Sequence, residues 1–357
     1  MDYRTLGRTG VTPFGTMPGG QAVEMHSLTN AAGMAVSFLN LGGIICAIKV
    51  PDRHGNIADV TPGYDCLSDY LADTQFFGAI IGRYANRIAR GRFVLDAVTY
   101  QLSTNDGPNH LHGGPGGFHR AIWTVESFAG PGSVGAVLHY SSPAGDEGFP
   151  GSLDVRVTYT LTDESELHFD YFATTDAATP VSLTQHSYVN LAGHASGDIL
   201  DHELTVHASG YLPVDRERIP TGEIRLVSGT HFDFRTPRTI RADVDAAAEH
   251  PFDGYDHNFV LDGTTPGVVR PVARLYEPRS GRVLEIDTTE PGLQLYSGGQ
   301  IGRGLNGKEG WNYGPNSALA LETQHFPNSP NEPRFPTTIL RPGMAYRSRT
   351  IYRFATA

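Results

Sequence analysis

Leu153-Asp154-Val155-Arg156-Val157-Thr158-Tyr159-Thr160-Leu161 is the stretch that decides the fold. Its odd positions are apolar and its even positions polar, as expected of a half-buried strand whose side chains leave alternate faces. Leu167, Phe169, Tyr171 and Ala173 alternate in the same way with His168, Asp170 and Thr174. Short strands are predicted at 272–276, 283–288 and 293–296. Helical signals are few: Pro237 predicts a turn running to Asp243, and 245–249 predicts another. The 42 Gly and 24 Pro are spread along the chain as turn markers, and they fall short of the bias that marks disorder. Segments 129–135 and 141–151 read as exposed loops. The reading is all-β, a large antiparallel β-sandwich with few short helices, and residues 1–357 read as a single domain.

Composition narrows the function classes. A net charge of −11 over 357 residues argues against nucleic acid or an anionic membrane as partner, since phosphate binding needs a basic surface. No run is long and apolar enough to span a bilayer, and the first twenty residues lack a basic head followed by an apolar core. Cys46 and Cys66 are the only cysteines and have no metal-knuckle spacing, which fits a reducing, cytoplasmic setting. Monomer and homodimer both remain open.

Alternation also places polar residues together. Over 180–190, Ser182, Thr184, His186, Tyr188 and Asn190 fall on one face. Ala318, Ala320 and Glu322 oppose Leu319 and Leu321, and Gln294 and Tyr296 oppose Leu293 and Leu295. If these strands share a sheet, the polar sets line one concave face, with small alanines leaving room for a ligand.

Gly82-Arg83-Tyr84-Ala85-Asn86-Arg87-Ile88 and Asn109-His110-Leu111-His112-Gly113-Gly114 bring amide, guanidinium and imidazole groups together. Such groups suit sugar hydroxyls. With Gln185-His186-Ser187-Tyr188-Val189-Asn190-Leu191, Asp256-His257-Asn258-Phe259, Gly292-Leu293-Gln294-Leu295-Tyr296 and Leu321-Glu322-Thr323-Gln324, they fall in the order of a known pattern. The chain closely resembles the aldose 1-epimerase (galactose mutarotase) family from about Phe38 to Phe354, and residues 1–37 are less distinctive. The resemblance implies a mutarotase-like supersandwich that interconverts the α and β anomers of a free monosaccharide without a cofactor or metal. It implies Glu322 as catalytic base and His186 as general acid. Asn86, Arg87, His112, Tyr188, Asp256 and Gln294 are implied as substrate-binding residues. Val189 and Asn328 depart from the family pattern, which bears on substrate preference and local packing.

Other readings compete for the same residues. His110 and His112 form half of a metal site if His119, His186 or Glu322 completes it. A silent sugar-binding module would keep Asn86, Arg87 and Asp256 but would not need both Glu322 and His186. A glycoside hydrolase would pair Asp256 with Glu322. The run 113–117 lacks the context of a nucleotide loop and reads as a turn at the pocket rim. Trp123 and Trp311 read as core or rim residues. For His186 to act as an acid it must be protonated; an ordinary histidine is only about a quarter protonated at pH 7, and Asp256 is one possible source of a raised pKa.

Overall fold

The structure is a computed structural model that describes residues 7–247, 254–302 and 304–357. Its strands form a nine-stranded, a six-stranded and a five-stranded sheet, with several two-stranded ribbons between them. Every ladder between named strands is antiparallel. The alternating stretch is the strand Leu153–Thr162, at the heart of the nine-stranded sheet. Its neighbour Glu166–Thr175 pairs Phe169 with Tyr159 and Tyr171 with Val157. Odd residues from Leu153 to Leu161 and from Leu167 to Ala173 are buried, and even ones exposed or half-buried.

Those inward residues meet the six-stranded sheet. One core cluster joins Val155, Val157 and Phe169 to Phe259, Leu293, Leu295, Leu319 and Leu321. Burying each of these side chains contributes about 1.5–3 kcal/mol. The opposite face of the six-stranded sheet is covered as well. Ala318, Ala320 and Tyr188 belong to a second cluster with Leu39, Leu41, Tyr70 and Phe77 from the first part of the chain. The less distinctive N-terminal stretch supplies two strands of the five-stranded sheet, Arg8–Thr16 and Ala22–Thr29, and begins a third, Ala35–Leu39.

Several local expectations differ. Residues 180–190 are not one strand: Thr179–Pro180, Thr184–Gln185 and Tyr188–Val189 are separate two-residue strands bonded to three different partners, all buried. The loop expected at 129–135 is mostly hairpin, because the strands Thr124–Gly130 and Ser133–Ser142 pair up to the turn. The turn expected from Pro237 begins as the strand Arg238–Thr239, paired with Glu203 and Leu204, and only Ile240–Ala242 is a helical turn. The next helix is Val244–Ala247; positions 248 and 249 of that expectation lie outside the described residues. Trp123 is in the core and Trp311 is exposed.

Candidate active site

Two adjacent strands of the six-stranded sheet, Gly292–Tyr296 and Leu319–Gln324, present the polar faces read from the sequence, and Asp256–Leu261 beside them adds a third. Gln294 stands opposite Glu322, and Asn258 opposite Gln294. In the neighbouring row, Ala320 is flanked by Tyr188 and Tyr296, and Tyr296 by Asp256. Alanine at 320 keeps the floor low between the two phenols. The intervening Leu293, Leu295, Leu319 and Leu321 go into the sandwich core.

The walls come from irregular backbone. Phe76, Asn86 and His112 all have positive φ, at 56°, 61° and 51°. Asparagine and histidine are the residue types met most often there after glycine; for phenylalanine it is a strained setting held by the surroundings. Gly113, at φ +86°, is required: a Cβ there would lie 1.7 Å from the Gly82 carbonyl oxygen. This close approach joins the two motifs. Arg83 is not a ligand group but a buried pin. Its Nε donates to Ser142 Oγ (2.9 Å), Nη1 to the carbonyls of Pro150 (3.0 Å) and Gly151 (2.8 Å), and Nη2 to those of Ser142 (3.0 Å) and Pro143 (2.7 Å). The segment 141–151 is thereby tied down rather than loose. Asn328 is also structural, accepting the backbone N–H of Ala89 at 3.0 Å.

A cavity of about 140 Å³ is lined by Asn86, Arg87, His112, His186, Tyr188, Asp256 and Glu322. Gln294 supports it from the sheet, with Nε2 donating to Asp256 Oδ1 at 2.7 Å. His186 Nε2 lies 3.6 Å from Glu322 Oε1, and the two residues are 4% and 2% exposed. Arg87 Nε donates to Asp106 Oδ2 at 2.6 Å, and Tyr188 donates its hydroxyl to the Gln75 carbonyl at 3.1 Å. Glu322 Oε2, His186 Nδ1 and Gln294 Oε1 are buried with no hydrogen-bond partner among the described residues. Buried polar atoms normally have partners, so these point to a hydroxylated ligand.

Electrostatics alter the expected protonation. Burial pushes His186 down to about 4, outweighing the opposing pull of Asp256. Burial, followed by the Asp256 charge, raises Glu322 well above the carboxylate range, against Arg87. Asp256 therefore does not raise His186 above its ordinary value as expected, because desolvation disfavours charge on both members of the pair.

His112, His186 and Glu322 bring potential ligand atoms within 4.8 Å of one another. Their chemistry does not fit a resident cation. The backbone N–H of Asn86 donates to His112 Nδ1 at 3.2 Å, which occupies the only lone pair of a neutral ring and leaves its proton on Nε2. His110 does not join the group, because the strand ends at Leu111 and the next residue turns away. His110 Nδ1 instead faces the Ser103 carbonyl at 2.6 Å. His119 lies behind Phe76, 4.8 Å between ring centres.

Sequence reasoning missed Phe76 and Arg218, which also line the cavity. The Phe76 ring lies 4.8 Å from that of His112 and 6.0 Å from that of His186. Phe76-Phe77 reads as ordinary core in the sequence, and Arg218 as one charge in a polar loop.

Comparison with known proteins identifies the family of the whole chain. Residues 24–353 match the family described as aldose 1-epimerase. Human galactose mutarotase is 45% identical over 345 residues, covering 96% of this chain and 98% of that protein. Aldose 1-epimerase from Escherichia coli strain K12 is 37% identical over 94% of this chain and 96% of its own length. The solved structure of an aldose epimerase homologue from C. elegans superimposes with a TM-score of 0.84 at 30% identity, covering 98% of this chain and 100% of that one. Fold and sequence agree: this chain belongs to the aldose 1-epimerase family.

Proposed function

We propose that this isomerase interconverts the α and β anomers of free aldoses of the galactose and glucose type, with Glu322 and His186 moving the protons. The observation that carries the reading is the apposition of His186 Nε2 and Glu322 Oε1 at 3.6 Å in a cavity with unpartnered acceptors. That gap is too long for a direct hydrogen bond and leaves the proton-accepting and proton-donating atoms available to a bound sugar.

In ring opening, ionised Glu322 takes the C1 hydroxyl proton while protonated His186 gives its proton to the ring oxygen. The C1–O5 bond breaks as the C1 carbonyl forms. Glu322 is then protonated and His186 neutral, which is the charge state that burial favours. The site thus stabilises the protonation state belonging to the open aldehyde. Rotation about C1–C2 and return of both protons close the ring on the other face. A substrate hydroxyl donating to Glu322 Oε2 would favour ionised Glu322 on binding, and another could meet Gln294 Oε1. Asn86, Arg87, His112 and Asp256 orient the hydroxyls, and the Nε2–H of His112 is a donor for the developing carbonyl oxygen.

Among the described residues, no helix is long and apolar enough to cross a membrane. Independently of that, the two free cysteines support a reducing, cytoplasmic setting for a single 1–357 unit acting on a small neutral sugar. Polarimetry of freshly dissolved α-D-galactose and α-D-glucose tests the activity. Acceleration by wild type and its loss in Glu322→Gln is the expected result. Sugar binding by calorimetry without acceleration would instead identify a binding module.

A further inference from the structure

The chain between the strands Ala208–Leu212 and Arg225–Leu226 contains a tight turn that brings Arg218 to the cavity wall. Asp215 Oδ1 accepts the backbone N–H groups of Glu217 (2.8 Å) and Ile219 (3.1 Å), and the Asp215 carbonyl accepts that of Arg218 (3.0 Å). Arg218 itself has φ +62°. Glu217 is anchored across the cleft, 3.3 Å from Arg90 and 3.4 Å from Asn109 Nδ2. Arg218 is therefore a held side chain, 17% exposed, with Nε 3.7 Å from Asp256 Oδ2. The other Asp256 oxygen accepts from Gln294, the residue opposite Glu322.

The charges around the cavity sort into two pairs. Arg87 is engaged by Asp106 at 2.6 Å, so Arg218 is the cation placed against Asp256. We propose that Arg218 is a positioning residue for anomer exchange: it holds the Asp256 carboxylate and balances its charge, and so sets the pH range in which Glu322 and His186 trade protons. The proposal rests on the mutarotase reading above.

Asp256 favours the protonated form of both Glu322 and His186. Arg87, from the motif wall, opposes it at Glu322. On the remaining sides, His112 and His119 are kept neutral by burial, and the phenols of Tyr188 and Tyr296 are kept protonated by burial and then by neighbouring anionic charge. None of these groups neutralises Asp256. Loss of the Arg218 charge leaves the Asp256 field unbalanced, and both members of the proton pair then hold protons more tightly.

The test compares Arg218→Gln, Arg218→Met and Arg218→Lys in the full chain, each checked for folding by thermal melting. Both limbs of the kcat/KM–pH profile should rise by roughly half to one pH unit in the first two, less than a directly contacting charge produces. Arg218→Lys should restore the wild-type limbs. In the sugar-free protein, the His186 ring followed by NMR should titrate higher in Arg218→Gln and be unmoved in Arg218→Lys. The Gln substitution should become silent in an Asp256→Asn background. A raised KM with unchanged limbs and unchanged His186 titration would make Arg218 a plain hydroxyl ligand and overturn the proposal. If wild type accelerates no sugar, the mutarotase reading fails, while the NMR titration still reports the Arg218 coupling.

Discussion

Gln294 faces Glu322 directly across the antiparallel ladder, yet its amide donates to Asp256 instead. The sheet thereby holds one carboxylate by hydrogen bonding and leaves the other, 2% exposed, beside His186 with an unpartnered oxygen. Two carboxyl groups on neighbouring rows of one sheet face are given different tasks by their contacts.

Glu322→Gln follows from that division. Turnover should fall by at least about 100-fold, the usual contribution of a positioned base. The melting temperature should be unchanged or higher, because a neutral amide replaces a costly buried carboxyl. Polarimetry with a melting curve measures both; a folded variant with near-normal turnover would remove Glu322 from the chemistry.

The pH profile has a defined shape. In the proposed mechanism, one proton shared by the pair is the working state. On the acid side activity is lost when His186, pushed down to about 4, takes a second proton. On the alkaline side it is lost when Glu322, raised well above its usual range, gives up the last one. The acid limb of kcat/KM should therefore lie below the ordinary histidine value of about 6.5. The limbs belong to the pair as a unit. An acid limb at the ordinary value would mean that water, not burial, governs His186.

Phe76→Gly separates strain from function. Glycine suits φ 56° and relieves the backbone, a gain on the order of 1 kcal/mol. It also uncovers the rings of His112 and His186. Melting temperature should change little, while kcat drops and the acid limb moves up as His186 regains solvent. An unchanged profile would show that Phe76 does not keep the site dry.

Arg83→Lys should cost stability. Lysine cannot reproduce donation to Ser142 Oγ and the four carbonyls of Ser142, Pro143, Pro150 and Gly151. A loss of about 3 kcal/mol is expected for buried acceptors left unmet. Urea unfolding measures it, and a difference below 1 kcal/mol would show that the loop satisfies itself.

Much of this was legible in the sequence because alternation is a local property. The strand Leu153–Thr162 announces its buried face residue by residue, and the Leu319/Leu321 and Ala320/Glu322 split tells which side of the sheet carries the chemistry. Proximity along the motifs likewise pointed to Asn86, Arg87 and His112. Phe76 and Arg218 were hidden because each depends on a positive-φ turn whose direction only tertiary packing fixes. The buried run at 180–190 misled because its fragments bond to three separate partners. Protonation was hidden for a related reason: burial, a property of the whole fold, outweighs the neighbouring charge at His186.

The two cores on either side of the six-stranded sheet also act as a proofreading device for the site. Slipping Leu319–Gln324 by one residue would turn Leu321 toward the sugar and drive the Glu322 carboxyl among Leu293, Leu295 and Phe259. Such a slip exchanges every side chain between faces at once. Single-residue insertions or deletions in this strand should therefore abolish the protein outright rather than yield a folded, inactive form. The frame of the strand, more than the identity of any one lining residue, is what the proposed catalytic surface cannot give up.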